Sequence, residues 1–207
     1  VFSANKKLAV FILLVTQAFR YAAEPFFFRH ASQKKGRVVF AKVFHYFMLA
    51  SLVTFLLIST FAYEFVSIKI MGFQLIDEKY WKGLGVVAPL LFGAVLWGAY
   101  TNLTIWYKLT KQVRFGILFS GIGVVSMIVL FWIMIPLWGY MGAAFAMIIC
   151  YSLLTAMVYF SGQKYYYIPY KMGRILVHTA IYVGAYFITA AMGRSEIFSS
   201  LFFNKLL

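Results

Sequence analysis

Acid is scarce in this chain. Five Asp and Glu stand against 19 Lys and Arg among 207 residues, a formal net charge of +14. Charge of either sign is thin, at 12% against roughly 25% in a soluble domain. So few carboxylates leave little material for acid–base catalysis. The single cysteine, Cys150, lies in an apolar run, so neither a disulfide nor a thiolate metal cluster can form within the chain. Zinc motifs, serine-hydrolase elbows, the phosphate-cradling Gly-rich Lys/Ser loop and the dinucleotide fingerprint are all missing. No metal or cofactor is expected, and a pump driven directly by ATP within this chain is disfavoured. Transport outranks enzymology.

What fills the chain is apolar. Hydrophobic residues make up 64% and aromatics 21%, where a soluble domain has roughly 45–50% apolar residues. A hydrocarbon core of about 30 Å needs about 20 apolar residues as a helix. Stretches of that kind predict spans at 8–28, 43–63, 84–107, 115–136, 142–162 and 175–193, followed by a tail, 194–207, leading to a truncated further helix. The uncharged run 115–163 is too long for one crossing; Pro136, Gly139 and Gly142 supply a turn that makes it a helical hairpin. Lys6 and Lys7 ahead of an apolar run resemble a signal peptide, but Gln17 and Arg20 precede any small-residue cleavage site, and the apolar run resumes at Phe26. Segment 8–28 is therefore read as a span.

The positive charge follows the loops. Arg29 to Lys42, Lys108 to Arg114 and Lys164 to Arg174 are basic, whereas 61–82 mixes Lys69, Lys79 and Lys82 with Glu64, Asp77 and Glu78, and the turn 136–141 is uncharged. This alternation puts the basic loops in the cytoplasm and Val1 outside, with only Lys6 and Lys7 on the wrong side. An outside start and an amphipathic tail suggest a fragment of a longer chain. Topology accounts for most of the charge, so a nucleic-acid partner is not needed; the lipid bilayer is the expected one.

Polar residues inside spans are the candidates for chemistry, because a centrally placed Arg or Asp costs about 2.5–3.5 kcal/mol to insert. Gln17, Arg20 and Glu24 are three and four residues apart, so they share one helix face with Thr16 beside it. Two readings stand side by side. Arg20 and Glu24 form a structural ion pair, or Arg20 binds an anionic group in a central cavity while Glu24 holds it or titrates. Pro25 removes a helical hydrogen bond beside them and tends to kink the helix. Lys42, His45 and Tyr46 open the second span, as interfacial anchors or as contacts to a phosphate or headgroup. Asn102 lies in a polar-aromatic span end, placed for an interhelical hydrogen bond or a sugar hydroxyl; its Asn102-Leu103-Thr104 sequon lies within a span, which argues against glycosylation. His178 reads as interfacial, and the small residues of 139–146 read as a helix-packing patch.

Several stretches carry a family resemblance. Gln17-Ala18-Phe19-Arg20-Tyr21-Ala22-Ala23-Glu24-Pro25-Phe26-Phe27-Phe28 resembles a helix end of the polysaccharide flippases, the O-antigen and capsule branch of the multidrug/oligosaccharidyl-lipid/polysaccharide exporter superfamily. Tyr80 to Pro89 and Asn102 to Thr110 are similar to the family's entry into and exit from a span, Ile135 to Ala144 to its recurrent turn, and Gly162 to Tyr170 to the loop after it. The resemblance implies an all-α membrane protein whose six transmembrane helices, 1–207, form one lobe, the C-terminal one, of a MATE-like two-lobe transporter. It implies translocation of polyprenyl-diphosphate-linked oligosaccharide across the bacterial cytoplasmic membrane, with Arg20, Glu24, Gln17, Lys42 and Asn102 as substrate-binding candidates. The implied partners are the lipid-linked oligosaccharide, the missing N-terminal lobe, and a polysaccharide polymerase with other assembly proteins. A cation-coupled drug or metabolite exporter of the same fold and a membrane glycosyltransferase or ligase acting on lipid-linked sugar are the rival readings; the enzyme would need Glu64, Asp77 or Glu78 as its catalytic group.

Overall fold

The computed structural model describes the backbone of residues 2–30, 36–62, 69–70, 73–74 and 85–191, and the side chains of 12–14, 16–30, 36–62 and 85–191. In chain order the elements are α1 (Phe2–His30), α2 (Gly36–Thr60), β1 (Lys69–Ile70), β2 (Phe73–Gln74), α3 (Val87–Leu103), α4 (Ile105–Leu109), α5 (Val113–Tyr165) and α6 (Met172–Ala191). The two strands form a minimal antiparallel ladder, Lys69 opposite Gln74 and Ile70 opposite Phe73. Everything else of length is helix. Among the described residues four helical segments are long and apolar enough to cross a membrane: Gly36–Thr60, Val87–Leu109, Val113–Tyr165 and Met172–Ala191.

Helix α5 doubles back. Gly139 has φ 58° and ψ −135°, a conformation that a side chain disfavours, and it divides the helix into arms 113–138 and 140–165. The arms lie against each other: the Cys150 thiol donates to the Gly123 carbonyl at 3.6 Å, and a Cβ at Gly123 would sit 3.0 Å from Leu154 Cδ1. A Cβ at Gly142 would collide with the Met134 carbonyl, so the arms close only because that position is bare. The expected hairpin is therefore present, and its first arm runs through Pro136 to the turn. Gly139→Ala is expected to cost about 1–3 kcal/mol through backbone strain alone, since no neighbour lies within 4 Å of the added carbon. Thermal unfolding in detergent measures it; an unchanged midpoint would mean that the turn relaxes freely.

Helices extend beyond the apolar stretches that mark the spans. Helix α2 begins at Gly36 rather than 43, and α6 at Met172 rather than 175. Apolar residues define the lipid-soluble part of a helix, while backbone hydrogen bonding continues through Arg37 and Lys42 as readily as through Leu. Helix α1 runs unbroken through Pro25, and the Phe26 carbonyl near its end accepts the His30 Nδ1–H at 2.9 Å.

Helix α3 is the hub. About 67% of its apolar window is buried inside the protein, against 11% for α5 and 6% for α6, which turn most of their apolar surface outward. Leu52, Leu90, Leu91 and Leu103 fill the centre of the core. A Cβ at Gly98 would sit 2.9 Å from Phe47 Cζ and 3.0 Å from Thr16 Oγ1, so this glycine lets α1, α2 and α3 meet at one level. At the opposite end from the Gly139 turn, Ala23, Phe27, Phe40, Ile105 and Ile168 make a second cluster, and the Arg37 guanidinium lies 4.5 Å from the Tyr166 ring centre. This is the basic end. There burial pushes the Tyr170 phenol above its ordinary pKa.

Candidate functional site

A cleft between α1 and the α3–α4 face holds most of the polar side chains that share one neighbourhood. On α1 it is lined by Thr16, Phe19, Arg20, Ala23, Glu24 and Phe27, positions three and four apart that stack on one face. Gly98, Thr101, Asn102, Ile105 and Lys108 repeat the same spacing opposite, and Phe47 of α2 closes one side. Apolar residues alternate with polar ones along both walls.

Lys108 is held there by its neighbours. Trp106 is buried, stacks on Tyr165 with ring centres 5.8 Å apart, and packs over Gly162, where a Cβ would sit 2.9 Å from its Cδ1. Just beyond, Gln112 N–H donates to the Tyr107 carbonyl at 2.8 Å and Lys111 N–H to the Lys108 carbonyl at 3.2 Å, with Lys111 at φ 56°. This paired closure with a left-handed residue is a Schellman ending. It stops α4 one turn past Trp106 and fixes where Lys108 leaves the backbone.

Glu24 pairs with Lys108, not with Arg20. The Lys108 ammonium donates to Glu24 Oε1 at 2.6 Å and ties α1 to α4. Glu24 is the one acidic side chain among those described; Glu64, Asp77, Glu78 and Glu196 lie outside the described residues. Arg20 is left with a long contact, Nη2 to Gln17 Oε1 at 3.4 Å, and with the Tyr21 ring 5.5 Å away. Among the described residues its charge has no carboxylate. Of the two readings of this face, the structural Arg20–Glu24 pair is therefore not formed.

Two further groups in the cleft lack partners. Thr16 Oγ1 and Asn102 Nδ2 are buried and make no hydrogen bond. An unsatisfied buried polar group costs about 1–3 kcal/mol, so two of them beside a guanidinium mark a place that expects an acceptor. The cleft leaves ≈ 20 Å³ for the centre of a water molecule, enough for about one water. It is built for an oxygen, and a larger ligand requires it to open.

No protein-family model, curated protein or solved structure matches the chain. The site therefore rests on its own geometry. Of the sequence candidates, Gln17, Arg20, Glu24 and Asn102 come together around the cleft, with Gln17 behind Arg20. The Asn102 amide nitrogen makes no interhelical hydrogen bond, and the sequon is buried at the junction of α3 and α4. Lys42 is not brought here: it lies five residues before Phe47 on α2, about 140° around the helix, and lines a separate cavity with His45, Lys171 and Arg174. Lys108 and Thr101 were not singled out from the sequence as site residues. Helical spacing was the available signal, since Thr101 lies four residues before Ile105 and Lys108 three after it, but the place of Lys108 in a basic loop masked it.

Proposed function

We propose that this chain is one lobe of a MATE-like flippase that moves polyprenyl-diphosphate-linked oligosaccharide, a precursor of O-antigen or capsule, from the inner to the outer leaflet by alternating access. In this reading α1, α2, α3 with α4, the two arms of α5, and α6 make six crossings of a bacterial cytoplasmic membrane. The basic end faces the cytoplasm and the start of α1 faces outward. The observation that carries the proposal is Arg20, a cation without a carboxylate among the described residues, beside the unpartnered Asn102 amide and Thr16 hydroxyl. A diphosphate offers negative charge and many acceptor oxygens to those donors. Low dielectric strengthens the attraction.

A cation-coupled exporter of the same architecture would need a free acidic group to hold its cation, and Glu24 is already engaged by Lys108. That favours an anionic cargo. The test is where cargo stalls. In cells lacking the protein, lipid-linked glycan is expected to accumulate in the inner leaflet, as read by protection from an externally added glycan-modifying enzyme. Accumulation in the outer leaflet would overturn the flippase and favour a ligase.

A further inference from the structure

We propose that the cavity between the basic ends of α2 and α6 is a phosphate-binding site, distinct from the Arg20 cleft and independent of any transport role for that cleft. Two stripes face each other across it. On α2, Lys42, His45 and Tyr46 fall at helical three- and four-residue spacing; on α6 and the residue before it, Lys171, Arg174 and His178 do the same. The stripes meet where the His45 and His178 rings stand 5.4 Å apart, and the Phe44–Tyr170 edge contact at 5.1 Å packs the same two segments together. This partly open hollow holds ≈ 440 Å³, and Lys42, His45, Tyr46, Pro169, Lys171 and Arg174 line it. That is room for a phosphate and the glycerol attached to it.

Among the described residues the charge in this cavity is uncompensated. Lys42, Lys171 and Arg174 converge on it, and the one described carboxylate, Glu24, is bound to Lys108 in the other site. Nδ1 of His45 is buried without a hydrogen-bond partner, whereas His178 Nδ1–H donates to the Arg174 carbonyl at 2.6 Å. Lys171 and Arg174 also sit at the N-terminal turn of α6, where the helix dipole favours an anion and disfavours a cation. Loop topology asks for basic residues at this end of the protein, but it does not ask that two helices aim theirs into one hollow. A phosphate group answers all of these features with charge and acceptor oxygens together. It can arrive as the headgroup of an anionic phospholipid, since basic pockets between membrane helices take such groups, or as free phosphate.

Two titrations of the protein purified in detergent separate the sources, one with phosphatidylglycerol and one with inorganic phosphate, with phosphatidylcholine as the neutral reference. Native mass spectrometry counts bound lipid, and calorimetry follows phosphate. Phosphatidylglycerol is expected to bind at least tenfold more tightly than phosphatidylcholine, and the K171Q/R174Q variant to lose that preference. Phosphate binding that is lost in the same variant would establish the site with free phosphate as its occupant. Lys42→Gln, an exposed position on the opposite wall, is a second variant expected to weaken the preferred ligand severalfold should the double variant fail to fold. Phosphate binding that is lost in Arg20→Gln but kept in K171Q/R174Q would place the ion in the Arg20 cleft and overturn the proposal. Binding of both probes that is indifferent to Lys42, Lys171 and Arg174 would overturn the proposal, whatever becomes of the flippase reading.

Discussion

Replacing Arg20 with alanine is expected to abolish surface polysaccharide while the protein stays in the membrane at its normal level. The two halves of that expectation have different causes. Arg20 makes no ion pair among the described residues and only a 3.4 Å contact to Gln17, so truncating it removes little that holds the helices together. A charge-assisted hydrogen bond to cargo is worth about 1.5–3 kcal/mol, which is about a 10- to 150-fold loss of affinity. A diphosphate able to engage the guanidinium by two such bonds loses more. Lysine at this position keeps the charge but not the planar fork, so Arg20→Lys should fall between wild type and alanine. Glycan staining of cells and an immunoblot of membranes measure the two halves separately. Normal polysaccharide in Arg20→Ala would remove this residue from the mechanism.

Reversing one charge of the Glu24–Lys108 pair should be nearly as damaging, through a different route. Each side chain is about a third exposed, at 35% and 36%, and neutralising either one should cost only about 0.2–1 kcal/mol, as for a pair partly open to water. Reversal is harsher. Lys108→Glu sets two carboxylates where an ion pair of 2.6 Å stood, and Glu24→Lys adds a third cation to a cleft that already holds Arg20 and Lys108. Both single variants are expected to lose transport and to fall in membrane level. The exchanged pair, Glu24→Lys with Lys108→Glu, should recover protein level, with a coupling of about 0.5–3 kcal/mol. If the exchanged protein is as scarce as the worse single variant, the bridge is not what joins α1 to α4.

The sequence was legible where one local rule decided the outcome. The α5 hairpin followed from an uncharged run too long for one crossing, with Pro136, Gly139 and Gly142 supplying the turn. The α1 wall of the cleft followed from the spacing of Gln17, Arg20 and Glu24 with Thr16 beside them, a property of a helix that needs no partner, although Gln17 itself does not line the cleft. Membrane-length helices followed from composition. The other wall was hidden because it depends on a contact 84 residues distant, Glu24 with Lys108. In sequence Lys108 is one basic loop residue among several, and nothing local distinguishes a lysine that orients a helix from one that also grips a carboxylate. Lys42 shows the converse. It stands with Arg20 among the substrate-binding candidates, but helical phase carries it to another face of α2, where it lines a separate cavity. Nor could the bare Thr16 and Asn102 groups be foreseen, since the lack of a hydrogen-bond partner is a property of the packed state alone.

The thiol inside the hairpin has a practical meaning. Cys150 is the sole cysteine of these 207 residues and is 1% exposed, shut between the two arms of α5. A thiol reacts only when a reagent reaches it and it can ionise, so in the closed hairpin it stays silent towards maleimides and nitroxides. These 207 residues are thus a ready background for cysteine scanning, in which a probe placed at their basic end reports alone. Cys150 itself keeps time: the rate at which it becomes alkylated is a clock for how often the arms of α5 part.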